Sequence, residues 1–301
     1  MSKKVLVVMG GFSAEREVSL VSGHGIAEAL RDEGYNVIEH DLHDVRKFLD
    51  ALSEFKPDVV FNALHGNWGE DGEIQGLLDM LQIPYTHSGL KASALGMDKQ
   101  LTKLVCHTIG IKTPLGEKTT YKHFLDEGTM ITMPYVIKPV CDGSSVGVHI
   151  IRKNTDLKDV DFNDDEEILI EKYIEGQELT VAVVEGKALT VTEMRPREGF
   201  YDYHAKYTDG ATEHIIPAQI PETAFNEAMY YAEKLHKTLN CKTISRCDLR
   251  YNEKDGVVLL EINTAPGMTP LSLVPEQYKY CGGSYSKLCK ILVEEASCRK
   301  M

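Results

Sequence analysis

The sequence predicts an α/β fold, and three observations carry that reading. Residues 1–95 alternate strand-like and helical patterns, residues 180–194 read as an antiparallel hairpin, and residues 247–263 read as a further pair of strands. The rest of the chain is organised around that last pair.

Residues 5–9 are continuously apolar, as in a strand buried on both faces, and the run is too short for a signal peptide. Gly10-Gly11-Phe12-Ser13 turns the chain, and residues 17–30 carry Val18, Val21, Ile26, Ala29 and Leu30 at approximately helical spacing. Residues 34–38 start a second strand, residues 45–55 a second helix and residues 58–62 a third strand. A βαβαβ order means a parallel sheet with right-handed crossovers. Glycine after a first strand invites a dinucleotide-binding reading, but the stretch ending at Glu15 lacks the G-x-G-x-x-G spacing, and its acid would repel a pyrophosphate. A carboxylate at this strand edge is better placed to bind an amine. The alternative is a helix-leading acid stabilised by the helix dipole.

Ala63-Leu64-His65-Gly66-Asn67-Trp68-Gly69-Glu70-Asp71-Gly72 suits an active-site edge, with a plain solvated loop as the alternative. One histidine does not supply the ligand spacing of a zinc site. In the middle region, residues 96–180, residues 97–106 read as a helix with Lys99 in its first turn, where a cation needs a compensating partner. Residues 134–139 are a strand carrying Lys138, leading into Asp142-Gly143-Ser144-Ser145-Val146-Gly147. This is not a P-loop, yet backbone N–H groups and small hydroxyls there can close over phosphate beside a lysine; a hairpin turn is the alternative. Residues 168–178 read as a strand running into a polar linker that ends at Glu178.

The last region, residues 181–301, continues the hairpin through the Glu185-Gly186 turn into residues 188–194. The aromatic-rich stretch 199–210 has the character of a functional lid, or of a satellite cluster. Residues 222–239 and 284–295 read as helices. Between them, residues 247–251 and 257–263 flank the Asp255-Gly256 turn. If these runs pair, Asp248, Glu261 and Asn263 converge as two carboxylates and an amide oxygen, a hard donor set suited to magnesium. The alternative is a polar strand face meeting water.

The 301 residues allow two or three domains, and a net charge of −13 argues against a broad nucleic-acid or anionic-membrane surface. No apolar run approaches the ~20 residues of a membrane span. Seven cysteines without a CxxC pair predict reduced, mostly buried thiols in a cytoplasmic protein.

Along essentially its whole length the chain resembles the D-alanine–D-alanine ligases of the ATP-grasp superfamily. The matching segments, in order, are Gly10–Ser19, Leu64-His65-Gly66, Gly69–Gly72, Ala94–Lys99, Lys138-Pro139 with Gly143–Gly147, and Glu171-Lys172. They continue with Phe200–Tyr203, Ala205–Tyr207, Glu261 with Asn263, Pro266–Thr269 and Ser272–Pro275. The resemblance implies three domains, residues 1–95, 96–180 and 181–301, with the central and C-terminal α+β domains gripping ATP. Lys99, Lys138 and Lys206 resemble the cations on the ATP phosphates, with Ser144 and Ser145 in the closing loop. Glu171, Lys172 and Ile174 match adenine-side positions, and Glu178 a ribose acceptor. Asp248, Glu261 and Asn263 match the ligands of two magnesium ions, for which manganese can substitute. Glu15 matches the group binding the first D-alanine's ammonium, with His65 near that substrate. Arg246 and the Gly267 N–H match oxyanion stabilisers, and Ser272 with Leu273 the carboxylate end of the second D-alanine. Tyr207 resembles the lid tyrosine that bridges Glu15 and Ser144 and goes with dipeptide rather than D-lactate ester synthesis. A homodimer is implied, with no nucleic-acid or membrane partner.

Some positions depart from the family pattern: Asn67-Trp68 for Arg-Gly, Asp142 for Glu, His204 for an acid, Ala265 for Ser, and Cys247 between Arg246 and Asp248. None removes a residue carried over above. Another ATP-dependent carboxylate–amine ligase would share Lys138, Asp248, Glu261 and Asn263 without needing Glu15 or Tyr207. A non-catalytic nucleotide-binding module would be expected to lack a metal ligand or Arg246, and this chain lacks neither.

Overall fold

The computed structural model describes residues 2–300 apart from 142, 144–146, 154–156, 158–159 and 198–209. The first sheet has β1 (Lys4–Gly10) between β2 (Asn36–Leu42) and β3 (Val59–Asn62), both parallel to it. α1 (Arg16–Asp32) and α2 (Val45–Phe55) make the crossovers, as the alternating pattern predicts. Side chains alternate across a strand, and β1 divides accordingly. Val5, Val7 and Met9 enter one core with Ile26 and Leu30 of α1, while Leu6 and Val8 enter a second with Phe48 and Leu52 of α2. Both faces are covered, which is why the run is apolar throughout.

After β3 come α3 (Glu73–Leu81), α4 (Leu90–Met97) and α5 (Lys99–Thr108). The second sheet is antiparallel: β4 (Gly116–Thr120), β5 (Tyr135–Pro139), β6 (His149–Ile151) and β7 (Glu167–Lys172) lie in the order β4-β7-β5-β6. α6 (Tyr121–Glu127) gives Tyr121 and Phe124 to a core with Tyr135, Ile137, Ile168 and Ile170.

The third sheet runs β10-β9-β8-β11-β12, from β8 (Gln177–Val184), β9 (Lys187–Pro196), β10 (Thr212–Ile215), β11 (Ile244–Asn252) and β12 (Gly256–Asn263). α7 (Glu222–Thr238) packs Ala228, Ala232 and Leu235 against Val181, Val183 and Leu249. α8 (Leu273–Tyr280) sends the wholly buried Gln277 under the sheet. Its Oε1 accepts from the Ala182 N–H at 2.9 Å, and its Nε2 donates to the Thr180 carbonyl at 3.0 Å and Thr192 Oγ1 at 2.9 Å. α9 (Tyr285–Glu294) returns to the first sheet, where Leu288, Leu292 and Val293 join the Val5–Val7–Met9 core.

The seven cysteines are free, but only Cys106, Cys247 and Cys289 are buried; Cys141 and Cys281 are exposed. Mostly buried thiols were the expectation, and fewer than half are. Cys141 sits beside the glycine loop and Cys281 just beyond α8, where neither has a core to enter.

Candidate active site

The expected hairpin forms. β11 and β12 pair antiparallel with Asp248 opposite Glu261 and Arg246 opposite Asn263, so all four residues share one face. The register shifts by one residue just after Asp248, a bulge next to the site. Asp248 takes two hydrogen bonds from Arg246, Nε to Oδ1 at 2.9 Å and Nη2 to Oδ2 at 2.8 Å, and one from Thr180 Oγ1 at 2.7 Å. Glu261 lies 3.5 Å from Lys99 Nζ, the partner that a lysine in the first turn of α5 requires. Asn263 Oδ1 accepts from the Ala265 N–H at 2.8 Å, and Nδ2 faces Glu70 Oε1 at 3.4 Å. Among the described residues no three His, Cys, Asp or Glu cluster as a metal site. The Asn263 amide would add a third oxygen to the Asp248 and Glu261 carboxylates, a set that would suit a hard oxygen-seeking cation.

Two cavities meet at this hairpin, and Lys99, Gly143 and Glu261 line both. The first is lined also by Glu15, His65, Arg246, Gly267, Ser272 and Leu273, every described residue that the sequence assigned to the amino-acid substrates or the oxyanion. Glu15 stands at the N-terminus of α1, beneath the loop that follows β1. Ser13 ties that loop to the next, accepting from the Glu15 N–H at 3.2 Å and donating to the His65 carbonyl at 2.8 Å. A Cβ on Gly143 would lie 3.2 Å from Glu15 Oε2, so glycine there lets the loop backbone approach the carboxylate closely.

His65 is enclosed, with Nδ1 3.4 Å from Glu70 Oε1. Burial opposes its charge, but Glu70 and Glu15 outweigh burial and raise its pKa above the ordinary imidazole value. Glu70 also accepts from the Gly66 N–H at 3.0 Å, so one buried carboxylate joins the His65 loop to Asn263. A Cβ on Gly267 would stand 3.1 Å from Ser272 Oγ and 3.8 Å from the His65 ring. Ser272 Oγ accepts from the Thr269 N–H at 2.9 Å, at the start of α8.

The second cavity gathers Lys138, Glu171, Lys172, Ile174 and Glu178 with Asp248. Glu171 is buried and both of its oxygens are held, one by Lys103 and the other by Lys138 Nζ at 2.5 Å. Burial would raise its pKa, but the two lysines hold it below the usual carboxylate range. Burial likewise opposes the Lys138 charge, while Glu171 and Glu261 raise its pKa above the ordinary lysine value. Lys172 Nζ reaches Asp255 Oδ1 at 3.2 Å. Arg250 donates to the Ile174 carbonyl at 3.2 Å and to Glu178 Oε2 at 2.6 Å. Ser144, Ser145, Lys206 and Tyr207 lie outside the described residues, as do Asp142 and His204.

Glu70, Lys103 and Arg250 were not singled out from the sequence. Arg250 was within reach of strand alternation, two residues beyond Asp248 on the same face. Glu70 stood in a loop read only as a whole, and Lys103 lies one helical turn after Lys99 with no local sign of its partner.

Profiles described as the D-ala D-ala ligase C-terminus and N-terminus match residues 109–294 and 44–88. A D-alanine–D-alanine ligase of Zymomonas mobilis is 50% identical over 98% of this chain and 94% of its own length. One of Gluconobacter oxydans is 46% identical over 98% of this chain and 100% of its own. A crystal structure of the Bacillus anthracis D-alanine–D-alanine ligase complexed with ATP superposes with a TM-score of 0.82 at 32% identity, covering 98% of this chain and 97% of that one. A second structure of that enzyme gives 0.85 at 33% identity over the same shares. The three sheets and the two cavities joined at Glu261 are thus an ATP-grasp α/β architecture, and the chain belongs to the D-alanine–D-alanine ligase family.

Proposed function

We propose that this chain joins two molecules of D-alanine into D-alanyl-D-alanine, converting ATP to ADP and phosphate, for peptidoglycan precursor synthesis. The observation that carries the reading is the meeting of two cavities at Lys99, Gly143 and Glu261. A phosphoryl group held on one side is thereby presented to a carboxylate on the other.

A carboxylate is a poor electrophile. An oxygen of the first D-alanine's carboxylate therefore attacks the γ-phosphorus, the bond to the β-phosphate oxygen breaks, and ADP leaves behind a D-alanyl phosphate. Glu15 holds that substrate's ammonium, and His65, favoured in its charged form by Glu70 and Glu15, sits against the same space. Lys99 and Lys138 balance phosphate charge, together with Lys206, Ser144 and Ser145. Glu171, Lys172 and Ile174 flank the adenine, and Glu178 takes the ribose. Asp248, Glu261 and Asn263 would hold two magnesium ions, or manganese, which would supply charge neutralisation at the transferring phosphoryl group. The second D-alanine, its carboxylate received by Ser272 and Leu273, gives up an ammonium proton, and its nitrogen attacks the acyl carbon. Arg246 and the Gly267 N–H stabilise the tetrahedral oxyanion, and phosphate leaves. Tyr207, with Ser144 and Glu15, is assigned to closing the lid over the intermediate.

No helix among the described residues is long and apolar enough to cross a membrane. We assign the protein to the cytoplasm, as a homodimer. The deciding experiment is phosphate release from ATP and Mg²⁺ with D-alanine, L-alanine or no amino acid. Release stimulated by D-alanine alone is expected. Equal rates in all three arms would overturn the assignment, and release stimulated by L-alanine instead would point to another carboxylate–amine ligase.

A further inference from the structure

Glu171 sits on β7, between β4 and β5, with its carboxylate enclosed and bound from two directions. Lys138 is its diagonal neighbour on β5, where Val136 stands directly opposite Glu171. Lys103 comes from outside the sheet altogether, from α5, and its ammonium meets the other carboxylate oxygen.

It can do so because of Gly116. That residue lies opposite Glu171 on β4, and a Cβ there would stand 2.7 Å from Lys103 Nζ, 2.7 Å from the Ile170 carbonyl oxygen and 2.9 Å from Glu171 Cγ. Gly116 has no positive φ to explain it. Glycine here leaves the space that both the Lys103 ammonium and the β7 backbone occupy.

The two lysines differ in what they face. Lys138 and Glu171 line the nucleotide cavity, whereas Lys103 lies behind the carboxylate and lines neither cavity. Alone, the Lys138–Glu171 pair would be neutral. The third charge makes the cluster a net cation. It also keeps a partner on Glu171 when Lys138 turns to phosphate, and a buried carboxylate without a partner is costly.

We propose that Lys103 is a positioning residue of the nucleotide cleft, clamping Glu171 from behind so that Lys138 can give its charge to the nucleotide. This rests on the nucleotide binding proposed above. The test compares wild type, Lys103→Met, Glu171→Gln, Lys103→Arg and the double variant Lys103→Met/Glu171→Gln. Affinity for ATP with Mg²⁺ is read by calorimetry, KM for ATP and for D-alanine by phosphate release, and folding by thermal melting. Lys103→Met is expected to weaken ATP binding about 10- to 100-fold, the value of one hydrogen bond to a charged group, with KM for D-alanine near wild type. Lys103→Arg should bring affinity back towards wild type. The double variant should bind better than the sum of its single changes allows, because removing the anion removes the need for its clamp. A folded Lys103→Met that binds ATP like wild type overturns the proposal, as do strictly additive losses in the double variant. Should Lys103→Met fail to fold, Lys103→Gln removes the charge while keeping a polar side chain and must lower ATP affinity; unchanged binding there overturns the proposal equally. A wild-type protein that binds no ATP would instead refute the proposed function.

Discussion

His65 and His87 are both enclosed, yet their protonation runs in opposite directions. Burial, with the nearby His65 charge, pushes His87 down to about 3, and its Nε2 has no hydrogen-bond partner among the described residues. A histidine held neutral contributes full stability above its ordinary pKa of about 6.5. That stability is lost as pH falls towards the folded value, because the unfolded chain takes up the proton first, with a slope of up to about 1.4 kcal/mol per pH unit. His65 has the reverse sign: its raised pKa adds stability below the ordinary value, lost as pH rises through the folded one. His87→Asn, tolerable at a φ of 70°, should flatten the pH 4–6 limb by about one proton, read from urea midpoints across that range. An unchanged limb would show that His87 protonates while folded. For the reaction, Glu261→Gln should abolish ligation while the melting profile stays near wild type, since it removes a charge but little volume. Normal turnover would sink the metal assignment. Arg246→Ala should lower kcat on the order of 10²- to 10³-fold, as for a lost oxyanion donor. Thr180 still holds Asp248 in that variant, so ATP affinity should change far less. Collapse of ATP affinity with turnover intact at saturation would make Arg246 a binding residue.

Among the elements, Gln277 is the peg between α8 and the third sheet, with three hydrogen bonds to buried partners. Gln277→Leu strands the Ala182 N–H in the interior and should cost about 2–4 kcal/mol, measured by denaturant unfolding. A loss below about 0.5 kcal/mol would mean that α8 is held by its apolar contacts alone. Elements with strong local patterns were legible: β1, α1, α2, α7 and the β11–β12 hairpin lie where periodicity and turn residues put them. β4 was not, because Gly116-Glu117-Lys118-Thr119-Thr120 is an edge strand that leaves no residue fully buried. α6 is one short helix of seven residues, and α8 begins Leu273-Val274-Pro275, which reads locally as a break. The site divides in the same way. Asp248, Glu261 and Asn263 were legible because strand alternation is local. Lys103 was not, because its partner is 68 residues away and only the folded sheet brings them together.

At the scale of the molecule, one core is built from both ends of the sequence. Val5, Val7 and Met9 of β1 share it with Leu288, Leu292 and Val293 of α9. We propose residues 1–95, 96–180 and 181–301 as domains, and this core is why the first should not unfold independently of α9. Leu288→Ala, at a fully buried position, should cost about 2–5 kcal/mol and lower protection of β1 amides from hydrogen exchange along with those of α9. Exchange that rises in α9 alone would show the two to be uncoupled. The arrangement also sets a timetable. During synthesis β1 leaves the ribosome early and α9 late, so part of one face of the first sheet waits through the making of both other sheets for its cover. Domains ordinarily fold in the order they are made. Here completion of the first must follow translation of both other sheets, and a nascent chain stopped before residue 285 should remain a client for chaperones rather than a finished first domain.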